Sequence, residues 1–453
     1  MNIFFSGIGG VSMSGLALIA LTNNHNVYGS DIALSENVNS LVRRGAMIYK
    51  GHSAGNIRED IDLYVYTAAV KEDNPEYIRA KELGIKMQSR AEFLGSVMKG
   101  YLNPISIAGT HGKTTTTSML STIMINSNQD PTVLVGGNLG IINGNVRIGN
   151  TENFITEACE YTNSFLNFES SIGVVLNIEA DHLDFFKDLN EIQDSFNKFG
   201  KLINKDGYFI INGDDVNTGS IDKDVEANVI RFGKNKDNNV VVTVNGYTKE
   251  GYGRFSLEYN NEDLGEFNLS VPGEHNVYNA TAAIMASYVS GVSLDDIKTG
   301  IEMYTGVGRR FEDKGNMKIG AKIIDDYAHH PTEIKATLKA VKNMGYDKTI
   351  AIFQSHTYTR TESLLDEFAK SFNDADVVII ADIYAAREKF TDSVSGLKLA
   401  DEIRLQVSES QEVLYIGDFD SIVKHVESIA CENDIVLTIG AGDVYKVGEM
   451  LRV

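Results

Sequence analysis

PISIAGTHGKTTTT, running from Pro104 to Thr117, is the stretch on which the reading of this chain turns. Ile105 to Ala108 form a short apolar run, and Met119, Leu120, Ile123 and Met124 recur at helical spacing after it. Between them lies GTHGKTTTT: Gly109, Thr110, His111, Gly112, Lys113, Thr114 and Thr115 before the helix continues. A glycine-bearing turn from strand to helix aims backbone N–H groups and the positive helix start at phosphate oxygens. Lys113 then reaches the terminal phosphates of a nucleotide, and Thr114 is placed to ligate Mg²⁺. The first glycine stands four residues before the lysine, so the loop is tighter than the general GxxxxGK[ST] pattern.

Two segments further along offer partners for a metal–nucleotide pair. ITEACEY brings Glu157 and Glu160 to the end of an apolar run, and VVLNIEADHLD brings His182 just past another. Mg²⁺ on a nucleotide recruits one or two protein ligands and keeps waters, so Glu157, following the strand-like Phe154 to Thr156, is the expected carboxylate. A lone histidine is usually a surface or core residue. His182 gains weight because His111, His275, His329, His330 and His356 also sit in polar motifs at predicted turns or strand ends.

Three stretches begin alike, each an apolar strand entering a Gly- or His-rich turn: NIFFSGIGG, PISIAGTHGK and AKIIDDYAHHP. Each is read as opening a domain, with divisions at 1–101, 102–308 and 309–453. In the first, strands at Ile3 to Ser6, Val27 to Ser30 and Leu63 to Thr67 alternate with a helix through Leu16 and Leu21. In the second, VVVTV and RFSLEY, separated by Asn and Gly turns, predict a small antiparallel sheet inserted in an α/β domain. The third alternates regularly, with strands at Lys322 to Ile324, Thr349 to Phe353, Val377 to Ala381, Val413 to Ile416 and Ile435 to Ile439. Ligands of open parallel sheets bind at the carboxyl ends of strands, where Asp325, Asp326, Gln354, His356, Asp382 and Gly440 fall.

The first glycine turn, GIGGVSMSG, places Gly7, Gly9 and Gly10 before a helix and Asp31 at the end of the second strand. This imitates a dinucleotide fingerprint, but Ser12 stands where its third glycine belongs. The turn therefore suits the diphosphate of another nucleotide better than NAD.

Composition narrows the classes. A net charge of −21 without a Lys/Arg cluster argues against nucleic acid and acidic membranes. No uncharged apolar run reaches membrane-spanning length, and Met1 leads into a short apolar run without a basic region or cleavage site. An unsecreted, cytoplasmic protein without membrane insertion is expected. Cys159 and Cys431 form no CxxC pair, which fits a reducing compartment and ordinary thiols.

Taken in order, GxGGxxMSG, GTHGKTTT, EAxE, NIEADHLD, HN (His275, Asn276), GxxRRFE (Arg309, Arg310), DDYAHHPTE and FQxHxYTRT (His356, Arg360) resemble the Mur ligase family across essentially the whole chain. The resemblance implies three α/β domains: an N-terminal Rossmann-like domain for UDP-N-acetylmuramic acid, a central P-loop domain with the antiparallel insertion for ATP and Mg²⁺, and a C-terminal Rossmann-like domain for the amino acid. It further implies an ATP-dependent ligation through an acyl phosphate in peptidoglycan synthesis, with L-alanine as the amino acid. By motif position, Lys113, Thr114 and Thr115 would hold phosphates, Glu157 and His182 metal ions, Asn276 the adenine and Asp326 the ribose. Arg310 would lie near the phosphates, while Tyr327, His330, His356 and Arg360 would build the alanine and acyl-phosphate end. Ser355, Thr357 and Asn163 depart from the commonest pattern, and Lys198 is the nearest candidate for a carbamoylated lysine without matching its spacing. The nearest rivals are a murein tripeptide-recycling ligase, which is expected to lack FQxHxYTRT, and other Mur-type ligases.

Overall fold

Alternation of apolar strands with helices builds a computed structural model that describes residues 1–386 and 388–453. The chain divides into two compact units. One comprises Met1–Val242, Glu258–Glu262 and Ala280–Ile301; the other comprises Thr243–Leu257, Asp263–Asn279 and Glu302–Val453.

The first unit opens with β1 (Asn2–Ser6), α1 (Val11–Thr22), β2 (Asn26–Asp31), α2 (Glu36–Arg43), β3 (Met47–Lys50), β4 (Leu63–Tyr66), α3 (Pro75–Glu82), β5 (Lys86–Ser89) and α4 (Arg90–Met98). Its strands pair in parallel in the order β3-β2-β1-β4-β5. This doubly wound order puts a switch point beside β1, where the chain enters the Gly7–Gly10 turn. Ser89 and Glu92 form a capping box that starts α4 immediately after β5.

The unit continues with β6 (Asn103–Ala108), α5 (Lys113–Asn126), β7 (Thr132–Leu139), β8 (Gly144–Arg147), β9 (Asn153–Glu157), β10 (Ser170–Val175), α6 (Leu189–Lys201), β11 (Ile203–Asn212) and β12 (Asn228–Gly233). Here the order is β12-β11-β10-β6-β9-β7-β8, parallel except at β7–β8. Central β6 and its neighbours are buried and apolar because both faces of a parallel sheet are covered. Phe165, Phe196, Phe199 and Phe209 fill the core on one side, with α1 packed nearby through Leu16 and Ala17.

β13 (Val240–Tyr247) starts in the first unit, pairing with β12 in parallel, and ends in the second. It leads by a turn at Thr248–Gly251 into β14 (Tyr252–Tyr259) and by Asn260 and Asn261, both at positive φ, into β15 (Glu262–Pro272). Two successive left-handed residues suit a tight hairpin turn. This meander occupies the segment read from VVVTV and RFSLEY. α7 (Glu274–Val289) and α8 (Leu294–Glu302) follow.

The second unit then winds β16 (Glu312–Asn316), β17 (Lys322–Asp326), α9 (Pro331–Lys342), β18 (Thr349–Phe353), α10 (Tyr358–Ser363), α11 (Leu365–Ala369), β19 (Val377–Ile380), α12 (Gly396–Arg404), β20 (Glu412–Tyr415), α13 (Phe419–Ile429), β21 (Ile435–Ile439) and α14 (Tyr445–Leu451). The order is β16-β17-β21-β18-β19-β20, with only β16 antiparallel. Separate cores cover its two faces, one around Phe353, Phe368 and Leu399, the other around Ile323, Val436 and Ile422. Among the described residues no helix is long and apolar enough to cross a membrane, and Cys159 and Cys431 are free thiols.

Candidate active site

In the first unit, β6 ends at Ala108 and the chain turns through Gly109 and Gly112, at φ 137° and 84°, before α5 begins at Lys113. Both angles lie where a β-carbon is penalised, so the glycines are conformational requirements. Asn177 latches the loop from outside: its Oδ1 accepts from His111 N at 2.7 Å, and its Nδ2 donates to His111 O at 3.1 Å. Thr110 N donates to Asn177 O, and Thr110 Oγ1 accepts from Glu179 N at 2.9 Å.

Lys113 folds back over the loop. Its ammonium donates to Gly109 O, to Thr110 O at 3.1 Å and to Glu160 Oε2 at 3.1 Å. Burial opposes its charge, but attraction from Glu160 outweighs this and the pKa is raised. Glu160 is 2% exposed and also has His182 Nε2 at 3.9 Å. His182 sits at φ 55°, its ring packed on Tyr161 at 4.5 Å. Thr114 is buried at the helix start beside Thr115, which is partly exposed. Thus Glu160, rather than Glu157, is brought to Lys113 and His182. Glu157 ends β9 and accepts from Gly136 N at 2.5 Å. Lys198 lies on the exposed side of α6.

At the other glycine turn, Gly7 N and Ile8 N donate to Ser30 O, and Gly9 N donates to Asp31 Oδ2 at 2.8 Å. Gly10 caps α1, and Ser12, in its first turn, accepts from Arg90 Nη1 at 3.2 Å. Beneath the turn the fully buried Glu76 accepts from Ser6 and Ser30 hydroxyls at 2.6 and 2.7 Å, and lies 2.8 Å from His52. That network ties together the carboxyl ends of β1 and β2.

In the second unit the carboxyl end of β17 carries Asp325 and Asp326. Burial pushes the Asp326 carboxyl up to about 6, against hydrogen bonding from Thr337 and the positive charge of Arg310. Thr337 Oγ1 donates to it at 2.6 Å. Asp325 is bound by Arg309 Nε at 3.1 Å and Thr438 Oγ1 at 2.7 Å. Arg309 and Arg310 both stack on Tyr327, at 5.0 and 4.9 Å from the ring centre. His330 caps α9, with Glu333 accepting from the backbone N–H groups of His329 and His330. His356 stacks on Tyr384 at 5.6 Å and lies 3.3 Å from Arg360 Nη1. Asn276 is buried in the first turns of α7 and donates to Pro272 O at 2.7 Å. His275 and His329 are both lowered to about 4, primarily by burial, with Glu333 opposing.

Asn177 and Arg90 are polar residues that the sequence reading did not single out; each acts on a segment remote in the chain, so local spacing gave no signal for it. Glu333 lies inside DDYAHHPTE, and its three-residue spacing from His330 was a legible capping-box signal. Glu160 was visible in ITEACEY but is distinguished from Glu157 only by its neighbours in space.

Two strand-to-helix glycine turns in one unit, and a polar strand-end cluster in the other, are the layout of a nucleotide-dependent group-transfer enzyme. The sequence matches the Mur ligase family catalytic domain over residues 2–102, the Mur ligase middle domain over 107–287 and the Mur ligase glutamate ligase domain over 309–442. The chain belongs to the Mur ligase family.

Within that family, it is 50% identical over 450 residues to a UDP-N-acetylmuramate–L-alanine ligase of Acetivibrio thermocellus, covering 99% of this chain and 95% of the relative. A ligase of the same name from Clostridium botulinum (strain Langeland) is 51% identical over 99% of this chain and 97% of its own. Among solved structures, the UDP-N-acetylmuramate–alanine ligase of Thermotoga maritima has a TM-score of 0.82 at 28% identity, covering 100% of this chain and 98% of that one. A murein peptide ligase from Psychrobacter arcticus has a TM-score of 0.72 at 25% identity, with the same coverage.

Proposed function

We propose that this enzyme joins L-alanine to the carboxylate of UDP-N-acetylmuramic acid, converting ATP to ADP and phosphate, as a step of peptidoglycan synthesis. The observation carrying this is the half-identity, end to end, to ligases of that name, joined to a P-loop whose lysine is buried beside an acid. Residues 1–101 are proposed to bind the nucleotide-sugar, 102–308 ATP, and 309–453 the amino acid. Cytoplasmic ATP and nucleotide-sugar place the reaction in that compartment.

The muramyl carboxylate oxygen attacks the γ-phosphorus, the bond to the ADP oxygen breaks, and an acyl phosphate forms. The alanine amine then attacks the acyl carbon, loses a proton, and expels phosphate. Such chemistry needs placed positive charge more than a protein nucleophile. Lys113 supplies that charge at the phosphates, with Thr114, Thr115 and the loop N–H groups orienting them. Glu160, Thr114 and His182 would hold Mg²⁺, with Glu157 as a further carboxylate, and the ion would supply charge neutralisation at phosphate oxygens. Asn276 is assigned to adenine, Asp326 to ribose and Arg310 to phosphate. Gly7, Gly9, Gly10, Ser12 and Asp31 are assigned to the nucleotide-sugar, and Tyr327, His330, His356 and Arg360 to alanine and the acyl phosphate.

The test is product mass with UDP-N-acetylmuramate, ATP and a panel of amino acids, alongside phosphate release. An alanyl product dependent on all three substrates is expected. Faster joining of a preformed tripeptide than of L-alanine would transfer the chain to the recycling activity, a reading favoured only by the likeness to the murein peptide ligase.

A further inference from the structure

Arg90 is a cation without a counter-charge. It is the first residue of α4, and that helix is held by its own capping box and by packing through Gly95 against the backbone at Asn167. The acid nearest in sequence, Glu92, is spent in that box, accepting from Ser89 N at 2.7 Å. Among the described residues Arg90 has one hydrogen bond, Nη1 to Ser12 Oγ at 3.2 Å, and forms no ion pair. Burial pushes the guanidinium below its ordinary value, and the Cys159 thiol and Glu157 carboxylate act in the opposite direction without touching it.

Arg90 is partly exposed, and its planar fork of N–H donors matches a carboxylate or phosphate bidentately. Here the contrast with Lys113 is direct: that lysine has Glu160 at 3.1 Å. The remaining N–H donors of Arg90 have no hydrogen-bond partner among the described residues. Its location specifies what would complete it. Ser12 lies in the first turn of α1, directly after the glycine turn, where the amide groups and helix start attract an anion.

We propose that Arg90 grips the diphosphate of the nucleotide-sugar acceptor. The assignment rests on the function proposed above and adds a binding residue to it. The Ser12 hydroxyl holds the guanidinium at the start of α1, so the incoming diphosphate is bound from one side by backbone N–H groups and from the other by a planar two-donor edge. The muramyl carboxylate is the other anion on the same substrate, and the two sources are separable by experiment.

Arg90→Met and Arg90→Lys in the full chain are titrated with UDP-N-acetylmuramate, with UDP-N-acetylglucosamine, which has the diphosphate but not the lactyl carboxylate, and with a non-hydrolysable Mg·ATP analogue. Arg90→Met is expected to weaken both nucleotide-sugars by the same factor, on the order of tenfold to a hundredfold. Affinity for the ATP analogue stays as in the parent. Lysine, which retains the charge but not the fork, recovers part of the loss. The ligand-free melting temperature of Arg90→Met stays level, because the partly exposed guanidinium makes no ion pair among the described residues whose loss would weaken the fold. A loss confined to UDP-N-acetylmuramate would assign Arg90 to the carboxylate and overturn the proposal. So would unchanged affinity for both sugars, or a fall in melting temperature together with weaker binding of all three ligands. If Arg90→Met does not fold, the proposal is overturned as well unless Arg90→Lys, folded, shows the equal weakening of both sugars. Failure of the parent enzyme to bind UDP-N-acetylmuramate would instead remove the functional reading itself.

Discussion

At the scale of single residues, the Lys113 ammonium is held by two loop carbonyls and by Glu160. With the phosphate and metal sites as proposed, nucleotide binding exchanges one set of charge-assisted bonds for another and turns Glu160 toward a metal ion. Glu160→Gln is therefore expected to raise the Mg²⁺ concentration for half-maximal rate by about tenfold or more, and Glu157→Gln by less. Initial rates over a Mg²⁺ titration at saturating ATP measure this, and a larger effect at Glu157 would move the metal site to the end of β9. The amino-acid end is tested by substrate choice. Glycine lacks one methyl and should react about tenfold to two-hundredfold less efficiently than L-alanine in kcat/KM. L-Serine should be a weak substrate, and D-alanine and L-glutamate nearly inert. The Tyr327 ring lies within 5.0 Å of two guanidinium groups, and as the proposed pocket wall its replacement in Tyr327→Ala should narrow the gap between alanine and bulkier residues. An unchanged ranking would take Tyr327 out of the pocket wall.

At the scale of elements, the loop between β6 and α5 depends on a residue 66 positions away. Asn177 makes two hydrogen bonds to the backbone of His111 and fixes the conformation of the loop there. Asn177→Ala leaves both groups without that partner, at a cost of about 1 kcal/mol each. The expected result is a KM for ATP raised roughly tenfold, with the KM for UDP-N-acetylmuramate little changed; equal rises in both would indicate general loosening of the unit. The loop itself was legible because its glycines, lysine and threonines are consecutive and act through their own backbone. Its latch was not, since asparagine at the end of an apolar strand has no distinguishing local pattern. The same reasoning explains which strands were read. Long apolar runs such as β18 and β21 stand out, being buried on both faces. MIYK, KMQS and EDKGN, the sequences of β3, β5 and β16, contain no fully buried residue and no period that separates them from loops.

At the scale of the whole molecule, buried titratable groups make stability depend on pH with opposing signs. Asp326 has its carboxyl at about 6 against 3.8 for the unperturbed group. The folded chain binds the extra proton in that window, so this contribution weakens folding as pH rises from about 4 to 6. His275 and His329 stand at about 4 against 6.5. The folded chain binds fewer protons there, so these contributions strengthen folding as pH rises through the window and are lost as it falls. Burial likewise raises the Asp215 and Asp325 carboxyls and lowers His25, so the parent profile is a balance of opposing contributions. Relative to the parent, Asp326→Asn should tilt the melting temperature between about pH 4.5 and 6.5 toward a rise with pH, and His275→Gln away from one. Identical profiles for parent and variants would show that these groups titrate alike in folded and unfolded chains.

What the sequence determined by itself was local or ordered along the chain: α/β alternation, two strand-to-helix glycine turns, the succession of motifs that marks the family, and a strongly acidic composition. Tertiary structure decided which carboxylate meets Lys113, what latches the P-loop, which guanidinium groups stack on Tyr327 and where Arg90 is left without an ion pair among the described residues. The physical reason is range. A backbone turn is specified by the few residues that form it, whereas burial, ion pairing and desolvation arise from side chains brought together across 47 to 78 positions, as in Lys113–Glu160 and Arg90–Ser12.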